Sequence, residues 1–278
     1  MHSVPAVGMM HGMSVTKRDI PYKTVDDVTL RLWVFEDEAD RTDAHRPAIV
    51  FFFGGGWTGG TPEQFFPQCE YFASRGMLAA SAEYRVKDRH GTTPFECVAD
   101  GKSAVRWLRA HADELRIDPD RIAAGGGSAG GHIALCTALI DGCEEPGEDL
   151  SVSSRPDALV CFKPAPDLTR YGNRVPESAG RVDEISPAHH VKAGAPPTIL
   201  FHGIDDTSVP FEDDERFAAA MNEAGNDCRL VAYPEQVHGF FNYRDGDNPY
   251  YAETVREADR FLAKLGWLTG KPTMGETS

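Results

Sequence analysis

Twice in this chain a strand-like segment runs directly into three consecutive glycines. Ala48–Phe53 ends in Gly54-Gly55-Gly56, and Arg121–Ala124 ends in Gly125-Gly126-Gly127. An unbroken apolar run such as Ala48–Phe53 reads as a strand buried on both faces, because a strand with one wet face would alternate. Helical spacing follows each glycine stretch: Phe65, Cys69 and Phe72 after the first, Ile133, Cys136, Leu139 and Ile140 after the second. Further strands are expected at Met77–Tyr84, Ala158–Phe162, Thr198–His202 and Cys228–Tyr233. Further helices are expected over Val98–Leu115, Phe217–Ala224 and from Asn248-Pro249 through Leu265. Strand and helix alternating along a chain build a mostly parallel central sheet flanked by helices, the α/β class. Ligands of such sheets bind beyond the carboxyl ends of the strands. The residues just after each strand are therefore where chemistry is to be sought.

The 278 residues suit a single domain, expected over residues 21–268, with an N-terminal arm over 1–20 and a C-terminal tail over 269–278. The stretch 163–197, rich in proline and polar residues, breaks the alternation and reads as a small cap or lid insertion. A net charge of −15 argues against nucleic acid and anionic membrane surfaces as partners and suits small neutral substrates. No apolar run approaches the ~20 residues of a membrane span. The N-terminus lacks a basic region followed by an apolar stretch, so the chain as written reads as cytoplasmic, or as secreted or periplasmic if a signal was removed. Six cysteines without C-x-x-C spacing read as buried free thiols, with no metal or other cofactor expected. The oligomeric state has no signature.

Gly126–Gly130 spells G-x-S-x-G between a strand and a helix, the pattern of a tight turn that lifts a serine hydroxyl above the sheet edge. The rival reading is dinucleotide binding, since both Gly125–Gly130 and Gly54–Gly59 satisfy G-x-G-x-x-G, and Glu83 stands where a ribose-binding acid would. Two features weigh against it. Thr61-Pro62-Glu63-Gln64 starts the helix after the glycines by a capping pattern, and Trp57 fills the space a phosphate would need.

A serine hydroxyl needs a base. Of ten histidines, His238 lies a few residues beyond the strand ending at Tyr233, at the active edge of the sheet. His202, inside its own strand, reads as structural, and His132 lies too close to Ser128 on the same helix. The acid orienting the base should follow a strand and precede the histidine. Asp206 is preferred and Asp205 is second, each also able to cap the helix expected near Val209. Glu212–Glu215 read as a solvated acidic face. The amides of Gly54-Gly55-Gly56, with that of Ala129, would meet the developing oxyanion. Trp57, Phe240 and Phe241 are candidate pocket walls, with core packing as the alternative.

With these residues in view, the sequence resembles the α/β-hydrolase superfamily, and its hormone-sensitive-lipase-like esterases in particular. The resemblance runs from Pro21 to Leu268. It rests on the glycine loop, the Gly-x-Ser-Ala-Gly-Gly elbow, Ser186-Pro187, Ala195–Thr198, His202-Gly203, Val209-Pro210 and His238-Gly239-Phe240. Gly54–Gly59, Glu83-Tyr84-Arg85 and Gly125–His132 look most like the bacterial acetyl-xylan and feruloyl esterase branch. The resemblance implies an α/β-hydrolase fold, a triad of Ser128, Asp206 and His238, and oxyanion donors at Gly55, Gly56 and Ala129. Two positions depart from the pattern: Phe53 stands where the loop usually begins with histidine, and Gly127 where many relatives carry an acid. The expected function is a serine carboxylesterase acting on small-molecule or carbohydrate esters with short acyl groups, including acetyl or feruloyl esters of plant polysaccharide. The alternatives are an amide hydrolase of the same fold, arylformamidase or peptidase, and a catalytically silent binding protein.

Overall fold

The computed structural model describes residues 15–37, 45–174, 180–244 and 248–274. Eight strands form one sheet: β1 (Val15–Val25), β2 (Val28–Asp37), β3 (Arg46–Phe52), β4 (Leu78–Ala82), β5 (Ile117–Gly127), β6 (Ala158–Phe162), β7 (Thr198–Gly203) and β8 (Cys228–Tyr233). Their spatial order is β1-β2-β4-β3-β5-β6-β7-β8. Only β2 runs against its neighbours; β3 to β8 pair in parallel. Seven α-helices are described: α1 (Phe66–Ser74), α2 (Lys87–His90), α3 (Pro94–Ala110), α4 (Ala112–Leu115), α5 (Ala129–Leu139), α6 (Phe211–Glu223) and α7 (Pro249–Lys264).

The apolar run of β3 explains how the sheet is covered. Ala48 to Phe53 are all fully buried. Successive side chains of a strand point to opposite faces. Phe51 stacks on Phe65 and approaches Phe72 of α1, whereas Phe52 reaches towards Gly101 of α3. One helical layer thus contains α3 packed against α5. The other contains α1 joined to α7, where Tyr71 and Arg75 both donate to the buried carboxylate of Asp259. Truncating a phenylalanine in such a core costs about 3–5 kcal/mol.

The hairpin β1–β2 went unread in the sequence, and it takes up residues 15–20 of the stretch assigned to an arm. β1 is largely exposed and mixes charge with apolar residues, so it carries little periodic signal. Its register is held from below: Lys23 donates to Asp100 and Glu145, and Tyr22 donates to the Glu83 carbonyl. Glu83 itself accepts from the Arg31 amide, tying its carboxylate to the hairpin and away from any nucleotide position. β5 begins four residues before the expected strand and carries on through the glycines to Gly127. All six cysteines are free thiols, five of them buried.

Of the segment 163–197, the described residues form short 3-10 turns at Leu168–Arg174, Val182–Ile185 and Pro187–His189. Their anchor is His132 on α5, whose Nε2–H donates to the Ile185 carbonyl at 2.6 Å while Nδ1 accepts from the Trp57 indole at 3.1 Å. Burial lowers the His132 pKa to about 4, so a neutral ring joins the first glycine loop, the elbow helix and this segment.

Candidate active site

β5 delivers Ser128 to the sheet edge in a conformation that the surrounding backbone enforces. Ser128 has φ 55° and ψ −119° at the N-terminus of α5, outside the comfortable regions for a side-chain-bearing residue. The turn is possible because Gly130 passes against β3: a Cβ there would lie 2.0 Å from the Phe52 carbonyl oxygen. The serine amide is tied to the Phe162 carbonyl at 3.0 Å, which leaves the hydroxyl free to face the edge.

There the structure brings together the three residues read from the sequence. The Ser128 hydroxyl lies 3.0 Å from Nε2 of His238, and His238 Nδ1 lies 2.7 Å from Oδ2 of Asp206. Asp206 divides its oxygens between the two roles considered for it. Oδ1 accepts from the amides of Ser208 and Val209 and shapes the turn before α6, while Oδ2 holds the histidine. Asp205 is exposed and reaches no triad member.

Behind Asp206 lies a residue whose part the sequence did not reveal. His202 is fully buried, with Nε2 3.0 Å from the Val209 carbonyl and 3.4 Å from Asp206 Oδ2, and Nδ1 2.7 Å from Asp214 Oδ2. A carbonyl only accepts, so Nε2 carries a proton; the carboxylate at Nδ1 draws a second. Burial would lower this ring's pKa, but the bonds to Asp206 and Asp214 outweigh it and push it up to about 9. Burial likewise works against Asp206 ionising, and the bonds from His202, His238 and the Val209 amide hold it well below the usual carboxylate range. The acidic run Glu212–Glu215 is accordingly only in part the solvated face expected: Glu212 and Glu215 are exposed. Asp213 and Asp214 are buried, Asp214 against His202 and Asp213 against Arg170, Arg216 and Tyr171.

Burial lowers the His238 pKa from the ordinary 6.5, the Asp206 bond opposes this, and the nearby charges of Lys163 and His202 add to the lowering. The base must be neutral to act. Activity is thus complete above this pKa and lost as pH falls through it. We expect the acid limb of kcat/KM for a neutral ester to have its midpoint below 6.5. A midpoint above that value in a pH-rate series contradicts the reading.

The first glycine loop lies beside the serine. Gly54, Gly55, Gly56 and Trp57 line one cavity with Ser128 and His238, together with Gln64, Lys163, Ala165, Tyr171 and Val209, its volume about 460 Å³. Gly55 has φ 138°, and a Cβ on it would lie 2.2 Å from the Gly59 carbonyl oxygen, so no other residue fits. Among the described residues no acceptor meets the amides of Gly55 and Gly56. Ala129 opens α5, where the first amides have no intrahelical partner. The Gly54 amide is instead taken by Gln64 Oε1 at 2.6 Å, and Gln64 Nε2 donates to Asn242 Oδ1 at 2.9 Å. Gln64 therefore ties the glycine loop to the loop carrying His238, and does not complete the cap expected at Thr61. Thr61 makes no side-chain cap bond, and the chain enters α1 through a 3-10 turn at Pro62–Phe65.

Trp57 stands on the cavity wall, but Phe240 and Phe241 do not; both belong to the core, Phe241 stacked on Phe162 and Phe65. This explains one departure from the family pattern. A Cβ on Gly127 would lie 2.6 Å from the Phe241 ring, so the acid common at that position is sterically displaced. At the other departure, Phe53 stacks on Tyr84 at 4.1 Å, and the Tyr84 hydroxyl donates to the Phe53 carbonyl at 2.7 Å, anchoring the loop by other means.

Fold and site together set a Ser-His-Asp constellation at the edge of an α/β-hydrolase scaffold. Residues 37–170 match the family described as BD-FAE, and residues 161–264 match the prolyl oligopeptidase family. Among solved structures, the propionate-bound form of the thermophilic esterase Est2 from the planctomycete Thermogutta terrifontis is 48% identical. It superposes with TM-score 0.87 over 92% of this chain and 96% of its own. The same esterase phosphorylated by paraoxon is 47% identical, with TM-score 0.85 over 97% of this chain and 100% of its own. Esterase LipQ of Mycobacterium tuberculosis is 30% identical over 237 residues, 78% of this chain and 55% of its own length. The chain spans about half the length of the first curated relatives it matches. The chain belongs to the α/β-hydrolase superfamily, among its hormone-sensitive-lipase-like esterases.

Proposed function

We propose that this chain is a serine carboxylesterase that hydrolyses small, short-acyl esters through an acyl-enzyme. The observation that carries the reading is the unbroken relay from the Ser128 hydroxyl to His238 at 3.0 Å and from His238 to Asp206 at 2.7 Å. His238 Nε2 takes the Ser128 proton as Oγ bonds to the ester carbonyl carbon. The carbonyl oxygen, now an oxyanion, is met by the amides of Gly55, Gly56 and Ala129, each such donor lowering the barrier by on the order of 3 kcal/mol. Collapse breaks the bond to the leaving oxygen, which receives the proton from Nε2. Water then gives its proton to His238, attacks the acyl-serine, and releases the acid as Ser128 regains its hydrogen. Asp206 holds the ring in the tautomer that accepts at Nε2 and stabilises the imidazolium formed in each half.

Short acyl groups are supported by the cavity of about 460 Å³ and by the propionate and butyrate bound in the Thermogutta esterase. Acetyl or feruloyl groups on plant polysaccharide are the finer reading that the BD-FAE match favours. Amide hydrolysis is the second reading, favoured by the match of residues 161–264 to the prolyl oligopeptidase family. A panel of p-nitrophenyl acetate, butyrate, octanoate and laurate, with acetylated xylan, methyl ferulate and a matched anilide, tests these readings together. We expect kcat/KM to be highest for acetate or butyrate and the ester to outrun the anilide. Highest activity on laurate, or an anilide cleaved faster than its ester, contradicts the proposal.

A further inference from the structure

The mechanism leaves one side chain on the cavity wall without a task. Lys163 follows β6 directly, and β6 pairs with the elbow strand so that Phe162 lies opposite Gly127. Lys163 and Ser128 therefore leave the sheet side by side. The lysine backbone has φ 40°, in the left-handed region that a residue with a Cβ seldom occupies. Such an outlier at a pocket edge, where the chain does not need a glycine turn, points to a role for what it aims.

The residue is 3% exposed and lines the same cavity as Ser128 and His238. Among the described residues its ammonium meets no hydrogen-bond acceptor; its near neighbour is the face of Phe241, 5.3 Å from Nζ to the ring centre. The two other buried lysines are treated differently. Lys23 has Asp100 and Glu145, and Lys102 has the carbonyls of Ile140 and Gly142 with Glu144. Removing an ammonium from water without a partner is strongly unfavourable. Asp206 attracts it from a distance, yet both Asp206 oxygens are already engaged. Burial brings the amine down to about 7, a poise at which an arriving anion readily draws the proton onto it. The amine's N–H donors thus face a cavity that must admit a substrate.

We propose that Lys163 is a substrate-specificity residue whose amine receives a carboxylate carried by the ester itself, so that the preferred substrates are small esters bearing a free carboxylate near the scissile bond. The proposal rests on the esterase reading and narrows its substrate class. The chain's net charge of −15 opposes such a substrate at long range, so the preference is a contact effect and belongs in KM more than in the association rate.

Two matched pairs test it and separate the two sides of the ester. Mono-p-nitrophenyl succinate against p-nitrophenyl butyrate places the carboxylate on the acyl group; 4-acetoxybenzoate against phenyl acetate places it on the leaving group. In one of the pairs, Lys163→Met is expected to lower the ratio of kcat/KM, carboxylate ester over neutral ester, by about 10- to 100-fold, the worth of a charge-assisted hydrogen bond. The change should fall mainly in KM, and Lys163→Gln, checked for folding by circular dichroism, should move it the same way. On the wild-type protein, succinate should inhibit butyrate ester hydrolysis more strongly than butyrate does. Ratios unmoved in both pairs, with succinate no better than butyrate, overturn the proposal while leaving the esterase intact. Failure of the wild type to cleave any of the four esters would instead remove the reading beneath it.

Discussion

Ser128→Ala lowers kcat on p-nitrophenyl acetate by on the order of 10⁵- to 10⁶-fold, and the protein stays folded. The hydroxyl makes its hydrogen bond to His238 and none that holds the fold, since the turn is fixed by the Ser128 amide on Phe162 and by the glycines around it. Alanine keeps the Cβ in the same strained backbone, so the thermal midpoint should hardly move. His238→Ala should lose a comparable factor, and the double variant little more than either alone, because nucleophile and base act as a unit. What remains is the contribution of the free amides at Gly55, Gly56 and Ala129, which neither substitution touches. Steady-state rates on the three variants, with calorimetry alongside, decide this. Losses that multiply in the double variant would mean the two side chains do not share one step.

Asp206→Asn should be the second large effect, about 10⁴-fold in kcat. An asparagine has one oxygen to offer, and the amides of Ser208 and Val209 claim it in place of Oδ1. Its NH2 group then faces His238 Nδ1 and turns that nitrogen into an acceptor. The ring proton moves to Nε2, where it can no longer take the serine proton. The same change removes the anion beside the His202 imidazolium, leaving Asp214 as that ring's counter-ion. Asp205→Asn, on an exposed side chain one residue away, should leave kcat essentially at the wild-type level. Equal losses in the two variants would place the orienting acid elsewhere.

The sheet and the triad were legible because their signals are local. Buried parallel strands print unbroken apolar runs, and β6 and β7 lie within a residue of where those runs are. The elbow needs glycine at fixed offsets, and a histidine or aspartate just past a strand end is conspicuous. What stayed hidden depends on contacts far apart in the chain. Gln64 looks like half of a capping box, yet its amide bridges Gly54 and Asn242, 178 residues onward. Asp214 looks like one of four solvated acids until β7 places His202 beneath it. Phe240 and Phe241 follow His238 as pocket walls would, but the space left by Gly127 draws Phe241 into the core. Lys163 did have a signal that passed unread: a charge placed directly after a wholly buried strand, beside the elbow strand.

The most direct test of the relay from Asp206 through His238 to Ser128 is covalent. The folded protein is treated with diethyl p-nitrophenyl phosphate, the released p-nitrophenolate is counted, and the modified peptide is mapped by mass spectrometry. The geometry predicts one equivalent released and one diethylphosphoryl group on Ser128, with labelling abolished in Ser128→Ala and greatly slowed in His238→Ala. Folded protein that takes no label, or takes it on another residue at the same rate in all three proteins, would contradict the account.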